Sequence, residues 1–275
     1  MLLERVVRRA LEEDLGHGDL TTTAICPPDE KGPARILCKE EAILSGIEVV
    51  EMVYRLLDPR VELQALAQDG DRITPGEVVV RLSGPLASIL QGERTALNFL
   101  QLLSGIATRT ARYVELVRGF PVRIVDTRKT LPGLRALQKY AVRVGGGGNH
   151  RFGLSDGVLI KENHIAVAGG LKEAVRRARS MLPLLTKVEV EVQDLEQVKE
   201  ALKAEADAIL LDNMRIEDIK GAVALVDGRM LVEVSGNITE ANIRQVAATG
   251  VDIISLGTLT KDVEAVDFSL LVEGL

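Results

Sequence analysis

Tryptophan is absent from this 275-residue chain, and aromatic residues make up only 3% of it. Aromatic platforms for base stacking, the usual grip on single-stranded nucleic acid, are therefore scarce. An excess of positive charge is also missing. Lys and Arg number 34 against 40 Asp and Glu, a formal net charge of −6, so nothing global draws in a polyanion. Any anion site has to be a local gathering of cations. Cysteine is nearly absent too. Cys26 and Cys38 stand outside any CxxC or Cys/His cluster, which points to two reduced thiols and away from a disulfide framework or a zinc site. No apolar run approaches the roughly 20 residues of a membrane helix. The charged, amphipathic N-terminus MLLERVVRRALEEDLG lacks the apolar centre of a signal peptide. These absences predict a cytoplasmic protein with no membrane and no nucleic-acid partner.

What is present is aliphatic. Hydrophobic residues are 46% of the chain, a core of Val, Ile, Leu and Ala suited to parallel strands covered by helices. Short apolar runs recur in the second half: VRIVDT (122–127), GVLIKE (157–162), VEVEV (188–192), AILLD (208–212), LVEVSG (231–236) and IISLGT (253–258). Helical patterns at 134–144, 171–182, 195–204, 216–226 and 239–249 lie between them. That alternation is the rhythm of βα units, with Asp194 and Thr239 where helix caps belong. A complete eight-stranded barrel takes about 250 residues, and only six strands are clear from Val122 onward. The expected fold class is α/β, an incomplete (β/α) barrel of about six or seven strands preceded by a smaller α+β domain. An open doubly wound sheet is the alternative. In the first part, 34–44 and 61–66 read as strands flanking a helix at 47–57, and 69–82 as a turn-rich hairpin. The hairpin is similar to those of lipoyl and biotinyl modules but lacks their Met-Lys pair, so it reads as structural. A long helical stretch follows at 86–117, expected to break near Ser104-Gly105. The predicted domains are 1–106, α+β, and 107–275, the barrel, with the C-terminal tail available to pack on the first.

Functional residues of a βα barrel sit where strands end and loops begin, at the carboxyl face. Here those positions hold Thr127-Arg128-Lys129, Lys161-Glu162-Asn163-His164, Glu191, Asp212-Asn213, Ser235-Gly236-Asn237 and Gly257-Thr258. Nearly every end offers a charge or a phosphate donor, where idle ends would show a scatter of turn residues. Arg128, Lys129 and Lys161, with His150 and Arg151 from GGGGNHR, supply cations. Gathered in one mouth they would repel by several kcal/mol at an effective dielectric of about 20, unless anions enter. The site is thus suited to a ligand with several negative charges. Glu191 and Asp212 suit ribose hydroxyls, Mg²⁺ or a cationic transition state; the competing reading is that they only neutralise the lysines. The glycines near Ser235 and Thr258 let backbone N–H groups approach a monophosphate. The glycine run 145–148 follows a helix, so it is no dinucleotide fingerprint; it reads as a linker or as a mobile anion-binding loop. His164 fits the site and a helix cap equally, and His17 has no assigned role.

The chain resembles the quinolinate phosphoribosyltransferases, type II phosphoribosyltransferases also called nicotinate-nucleotide pyrophosphorylases (carboxylating). The resemblance runs from EDLGHGDLTT to SLGTLT and is most specific in GERTALNFLQLLSGIAT, DTRKTLPGLRALQKYAVRVGGGGNHR, LIKENHI, VEVEV, LLDN and EVSGN. It implies that Arg128, Lys129, His150 and Arg151 surround the dicarboxylate quinolinate, with Thr127 among the substrate contacts and Lys161 near the reacting groups and the phosphates. It also implies that Glu191 and Asp212 contact the ribose of phosphoribosyl pyrophosphate and Mg²⁺, the metal held mainly through substrate. Ser235, Gly236, Asn237, Leu256, Gly257 and Thr258 would hold the 5-phosphate. Arg94, in GERTALN, would come from a neighbouring subunit, implying a homodimer with shared sites or a higher homo-oligomer. A nicotinate phosphoribosyltransferase and a non-catalytic phosphosugar or dicarboxylate sensor are the alternatives.

Overall fold

The structure is a computed structural model that describes residues 2–27 and 29–274. Apolar residues spaced along one face make α1 (Leu2–Leu15), which buries Val7 and Leu11. Asp19 caps α2 (Leu20–Ile25) by accepting the Thr22 N–H. Then come β1 (Lys31–Cys38), β2 (Ala42–Ile43), α3 (Ile47–Leu57), β3 (Glu62–Ala65), β4 (Arg72–Ile73), β5 (Val78–Pro85) and α4 (Leu86–Leu116). The βα series follows as β6 (Arg123–Val125), α5 (Arg135–Val144), β7 (Val158–Ile160), α6 (Glu162–Ala168), α7 (Leu171–Met181), β8 (Val188–Val192) and α8 (Leu195–Lys203). It continues as β9 (Ala208–Asp212), α9 (Ile216–Val226), β10 (Leu231–Ser235), α10 (Ile243–Ala247), β11 (Ile253–Ser255) and α11 (Thr258–Lys261), and β12 (Phe268–Val272) ends it.

These elements form two compact units. One is built from the chain up to Ala111, Leu131–Gly146 and the chain from Asp262; the other is Arg112–Thr130 with Gly147–Lys261. In the first unit an antiparallel sheet runs β12-β1-β5-β3, so the C-terminal strand closes on β1. The segment 69–82 is not the hairpin its turn residues predict. β4 pairs with β2, whereas β5 lies between β1 and β3. The turn at Gly76 (φ 86) passes the chain from one sheet to the other, with Gly76 N–H donating to Cys38 O and Cys38 N–H to Glu77 O. Nor does Ser104-Gly105 break α4, which is continuous. Ser104 Oγ accepts the Ser45 N–H at 3.0 Å and donates to Ser45 O at 3.2 Å. A Cβ on Gly105 would overlap the backbone oxygen of Glu264. The small residues there admit neighbouring backbone instead of ending the helix.

The second unit carries a six-stranded parallel sheet in the order β6-β11-β10-β9-β8-β7. Chain order around that sheet is cyclic, with the break between β6 and β7: an incomplete barrel of six strands. Val188, Val190, Val192, Ile209, Leu211 and Ile254 are fully buried, the aliphatic packing expected between parallel strands and their covering helices. Asp194 caps α8 by accepting the Gln197 N–H, as its position predicts. Thr239 does not cap α10. Asn242 Oδ1 accepts the Thr239 N–H at 2.8 Å, folding 239–242 into a turn, and the helix starts only at Ile243. The glycine run is not a slack linker. A Cβ on Gly145 would overlap Ala107 O within the first unit, and in the second unit Gly148 pairs with Val125 on the open edge of β6.

Candidate active site

Strand alternation decides which side chains share the interior of the barrel unit. With Val188, Val190 and Val192 buried on one face of β8, Glu189 and Glu191 lie on the other. Parallel register carries that face around the sheet. Glu191 stands beside Leu210 and Leu210 beside Glu233; one layer nearer the carboxyl ends, Asp212 stands beside Ser235 and Ser235 beside Ser255. Lys161, which ends β7, reaches across to Glu191 in an ion pair. Its backbone N–H donates to His164 Nδ1 at 2.9 Å, so His164 serves as a cap of α6. Glu162, Ile165, Glu191, Gln193 and Gln197 line a cavity of about 130 Å³ beside that ion pair.

The positions expected to donate to a phosphate are held by close backbone approaches. Asn213 and Asn237 both adopt left-handed backbone, φ 54 and φ 51, a region asparagine tolerates better than most residues. Asn213 donates to Asp212 Oδ2 at 3.0 Å and accepts from Asn237 Nδ2 at 2.9 Å. Gly236 (φ 91) fits beneath the Asn213 amide, where any Cβ would overlap it. At the next strand end, a Cβ on Gly257 would stand 2.8 Å from Lys129 Cδ, so the missing side chain seats Lys129. Thr260 Oγ1 donates to Lys129 O at 2.8 Å, and Thr127 Oγ1 accepts the Lys129 N–H at 3.0 Å.

The segment 148–151 spans the break in the barrel. Gly148 bonds both ways with β6. Buried Asp126 accepts the His150 N–H at 2.9 Å and the Asn149 side-chain amide. Arg151 Nη1 donates to Gly157 O at 2.9 Å, just before β7. The His150 ring points inward, with Nε2 3.1 Å from Glu189 Oε2 and 3.4 Å from Glu233 Oε2, while Nδ1 accepts the Arg151 N–H at 2.8 Å. Hydrogen bonds to Glu189 and then Glu233 push the His150 pKa up, holding a proton on Nε2. With the Arg151 N–H at Nδ1, Nε2 is where the ring proton sits in the neutral imidazole. Burial first, and the Glu233 charge as well, raise the Glu189 carboxyl, with the His150 hydrogen bond opposing them. Burial, and after it the Arg128 guanidinium, lower the Arg151 pKa. Two of the anticipated cations therefore stand close enough to repel.

The second unit thus holds Thr127, Arg128, Lys129, His150, Arg151, Lys161, Glu191, Asp212, Ser235, Gly236, Asn237, Leu256, Gly257 and Thr258, at the strand ends and on the segment between β6 and β7. Arg94 belongs to the first unit, exposed on α4, and His17 is an exposed loop residue. Sequence reasoning missed Glu189, Glu233 and Asp126, and named Asn213 only as the neighbour of Asp212. The alternation in VEVEV placed Glu189 on the same face as Glu191, and LVEVSG places Glu233 on the face of Ser235; that was the available signal. The hard carboxylate oxygens of Glu191 and Asp212 are donors of the kind Mg²⁺ takes. Lys161 and Asn213 already occupy part of each, an arrangement that fits an ion held chiefly by substrate oxygens.

Residues 19–104 match the family model for the quinolinate phosphoribosyl transferase N-terminal domain, and residues 106–271 that for the C-terminal domain. A probable nicotinate-nucleotide pyrophosphorylase [carboxylating] of Synechocystis sp. is 43% identical over 93% of this chain and 87% of its own. Its counterpart in Bacillus subtilis is 42% identical over 98% of this chain and 92% of its own. The solved nicotinate-nucleotide pyrophosphorylase from Francisella tularensis superimposes with a TM-score of 0.95 at 43% identity, covering 99% of this chain and 96% of that one. On both the matched domains and the near-complete coverage, this chain belongs to the quinolinate phosphoribosyl transferase family.

Proposed function

We propose that this chain joins the ring nitrogen of quinolinate to C1 of phosphoribosyl pyrophosphate, releasing pyrophosphate and CO₂ and leaving nicotinate mononucleotide. One observation carries the reading: the cations Arg128 and Arg151 stand together at the end of the barrel unit where Glu191 and Asp212 also emerge. Arg128, Lys129 and Arg151 bind the two carboxylates of the acid. As the C1–O bond to pyrophosphate breaks, positive charge develops on the ribose, and Glu191 and Asp212 stabilise it. Lys161, released from Glu191, turns to the phosphates. Ser235, Gly236 and Asn237, with Leu256, Gly257 and Thr258, hold the 5-phosphate. Once the N–C1 bond has formed, the ring nitrogen is cationic. The electron pair of the breaking bond to the 2-carboxylate then stays on the ring carbon, which takes up a proton as CO₂ leaves. Mg²⁺, with Glu191 and Asp212 as its protein oxygens, would supply charge neutralisation on the leaving pyrophosphate.

Substrate choice follows from the cations. Nicotinate lacks the second carboxylate, and leaving a desolvated charge without its partner costs about 3–5 kcal/mol. Since 1.4 kcal/mol is roughly tenfold, quinolinate should be favoured by about two orders of magnitude or more. Labelled CO₂ release measured against nicotinate turnover tests this. Turnover of nicotinate alone, or binding of both acids without product, would reject the reading in favour of a nicotinate phosphoribosyltransferase or a sensor. We also propose a homodimer in which Arg94 completes the partner's site. In support, Arg94 lies exposed on α4 next to Thr95. Thr95, Asn98 and Phe99 of that helix, with Leu2, Arg5 and Arg9 of α1, line an open cavity of about 620 Å³ in the first unit.

A further inference from the structure

Glu189 and Glu233 bring two carboxylates into the interior of a unit whose ligand is read as an anion, and the reaction uses neither. Glu233 is 1% exposed, and its Oε1 has no hydrogen-bond partner. Together with His150 the two acids form a group of possible metal ligands. The ring geometry favours another use. A metal-bound imidazole carries its proton on the far nitrogen, which then donates. Here the far nitrogen, Nδ1, meets a donor, the Arg151 N–H at 2.8 Å, and Nε2 offers its proton to the carboxylates at 3.1 and 3.4 Å. Two strands, β8 and β10, thus converge on one N–H and fix the plane of the ring. The other edge of the ring holds the backbone from which the Arg151 side chain departs.

We propose that Glu189 and Glu233 are positioning residues for Arg151: acting through the His150 ring, they set how well the site binds the second carboxylate of the acceptor. This rests on the reading that Arg151 faces that acid. Asp126 holds the His150 backbone, and Gly157 O holds the far end of the Arg151 side chain. The ring links the barrel's interior to the Arg151 backbone.

The test uses Glu189→Gln and Glu233→Gln, which keep shape and remove charge. Each should raise the KM for quinolinate by about tenfold, as a hydrogen bond to a charged acceptor becomes one to a neutral amide oxygen. The KM for phosphoribosyl pyrophosphate should change less than about threefold, and the melting temperature should stay near that of the parent. In an Arg151→Ala background the Gln substitutions should add no further loss, because both act through one guanidinium. Equal loss for both substrates, or a fall in kcat with KM unchanged, would overturn the proposal. So would a stoichiometric divalent ion found in the purified parent and missing from Glu233→Gln. Failure of both variants to fold would show the pair to be structural and overturn it as well. If Arg151→Ala leaves quinolinate binding intact, the underlying reading of Arg151 fails; if it abolishes binding while the Gln variants do not weaken it, only the positioning role fails.

Discussion

Asn213 joins two parts of the barrel mouth that the sequence presents separately. Its side-chain amide donates to Asp212 and accepts from Asn237, while Asn242 Nδ2 donates to Asn237 O at 2.9 Å. The carboxylate read as a ribose contact and the loop read as a phosphate cradle are thereby tied together. Asn213→Gly keeps the left-handed backbone available and removes both side-chain bonds. The expected outcome in steady-state kinetics is a KM for phosphoribosyl pyrophosphate raised by about tenfold, from two bonds of about 0.5–1.5 kcal/mol each, with the KM for quinolinate nearly unchanged. A motif shows which residues cluster in the chain but not which hydrogen-bond each other. LLDN announced Asp212, and the role of Asn213 emerged only with its φ and its partner. The buried acids were hidden for a similar reason. Glu189 and Glu191 carry the same periodicity in VEVEV, and nothing in that pattern distinguishes an acid near the mouth from one a layer deeper beneath a histidine.

At the scale of elements, the repeated units were legible because each one restates the same physics. A short aliphatic run followed by an apolar stripe of helical spacing occurs once per βα step, so every strand of the parallel sheet could be placed to within a few residues. The first unit offers no such repetition. PG and DG turns in 69–82 suggested a hairpin, yet pairing partners are chosen by distant strands, and β4 and β5 went to different sheets. Asp58, at the end of α3, shows local chemistry holding such an element. It accepts from Arg60 Nε at 2.9 Å and from Ser88 Oγ at 2.6 Å, and the Arg60 hydrogen bond first of all holds its carboxyl below the usual range. A lowered folded-state pKa contributes stability above the unfolded value of about 3.9 and loses it as pH falls toward the folded value. Asp58→Asn should therefore be less stable than the parent in urea melts at pH 7 by about 1–2 kcal/mol. The difference should shrink steadily below about pH 4.

For the molecule as a whole, charge balance argued against a nucleic-acid partner while leaving room for a local gathering of cations, such as Arg128 and Arg151. The role proposed for Arg94, in contrast, involves a second copy of the chain. Mixing inactive Arg94→Ala and Lys161→Ala chains should return about a quarter of the parent activity: random exchange makes half the dimers hybrid, each with one of two sites intact. No recovery after exchange is verified by mass would mean that each site is made within one chain. The break between β6 and β7 has a consequence of its own. An unpaired strand edge invites adhesion and opening, and in this barrel the cover over it is the same short stretch that presents His150 and Arg151. Under the proposed binding role, guarding the seam and gripping the guest are one set of bonds. Amide hydrogens of Val158–Ile160 should accordingly exchange with deuterated solvent more slowly once quinolinate is added, while those of β10, deep within the sheet, keep their pace. The acceptor would act as the missing stave.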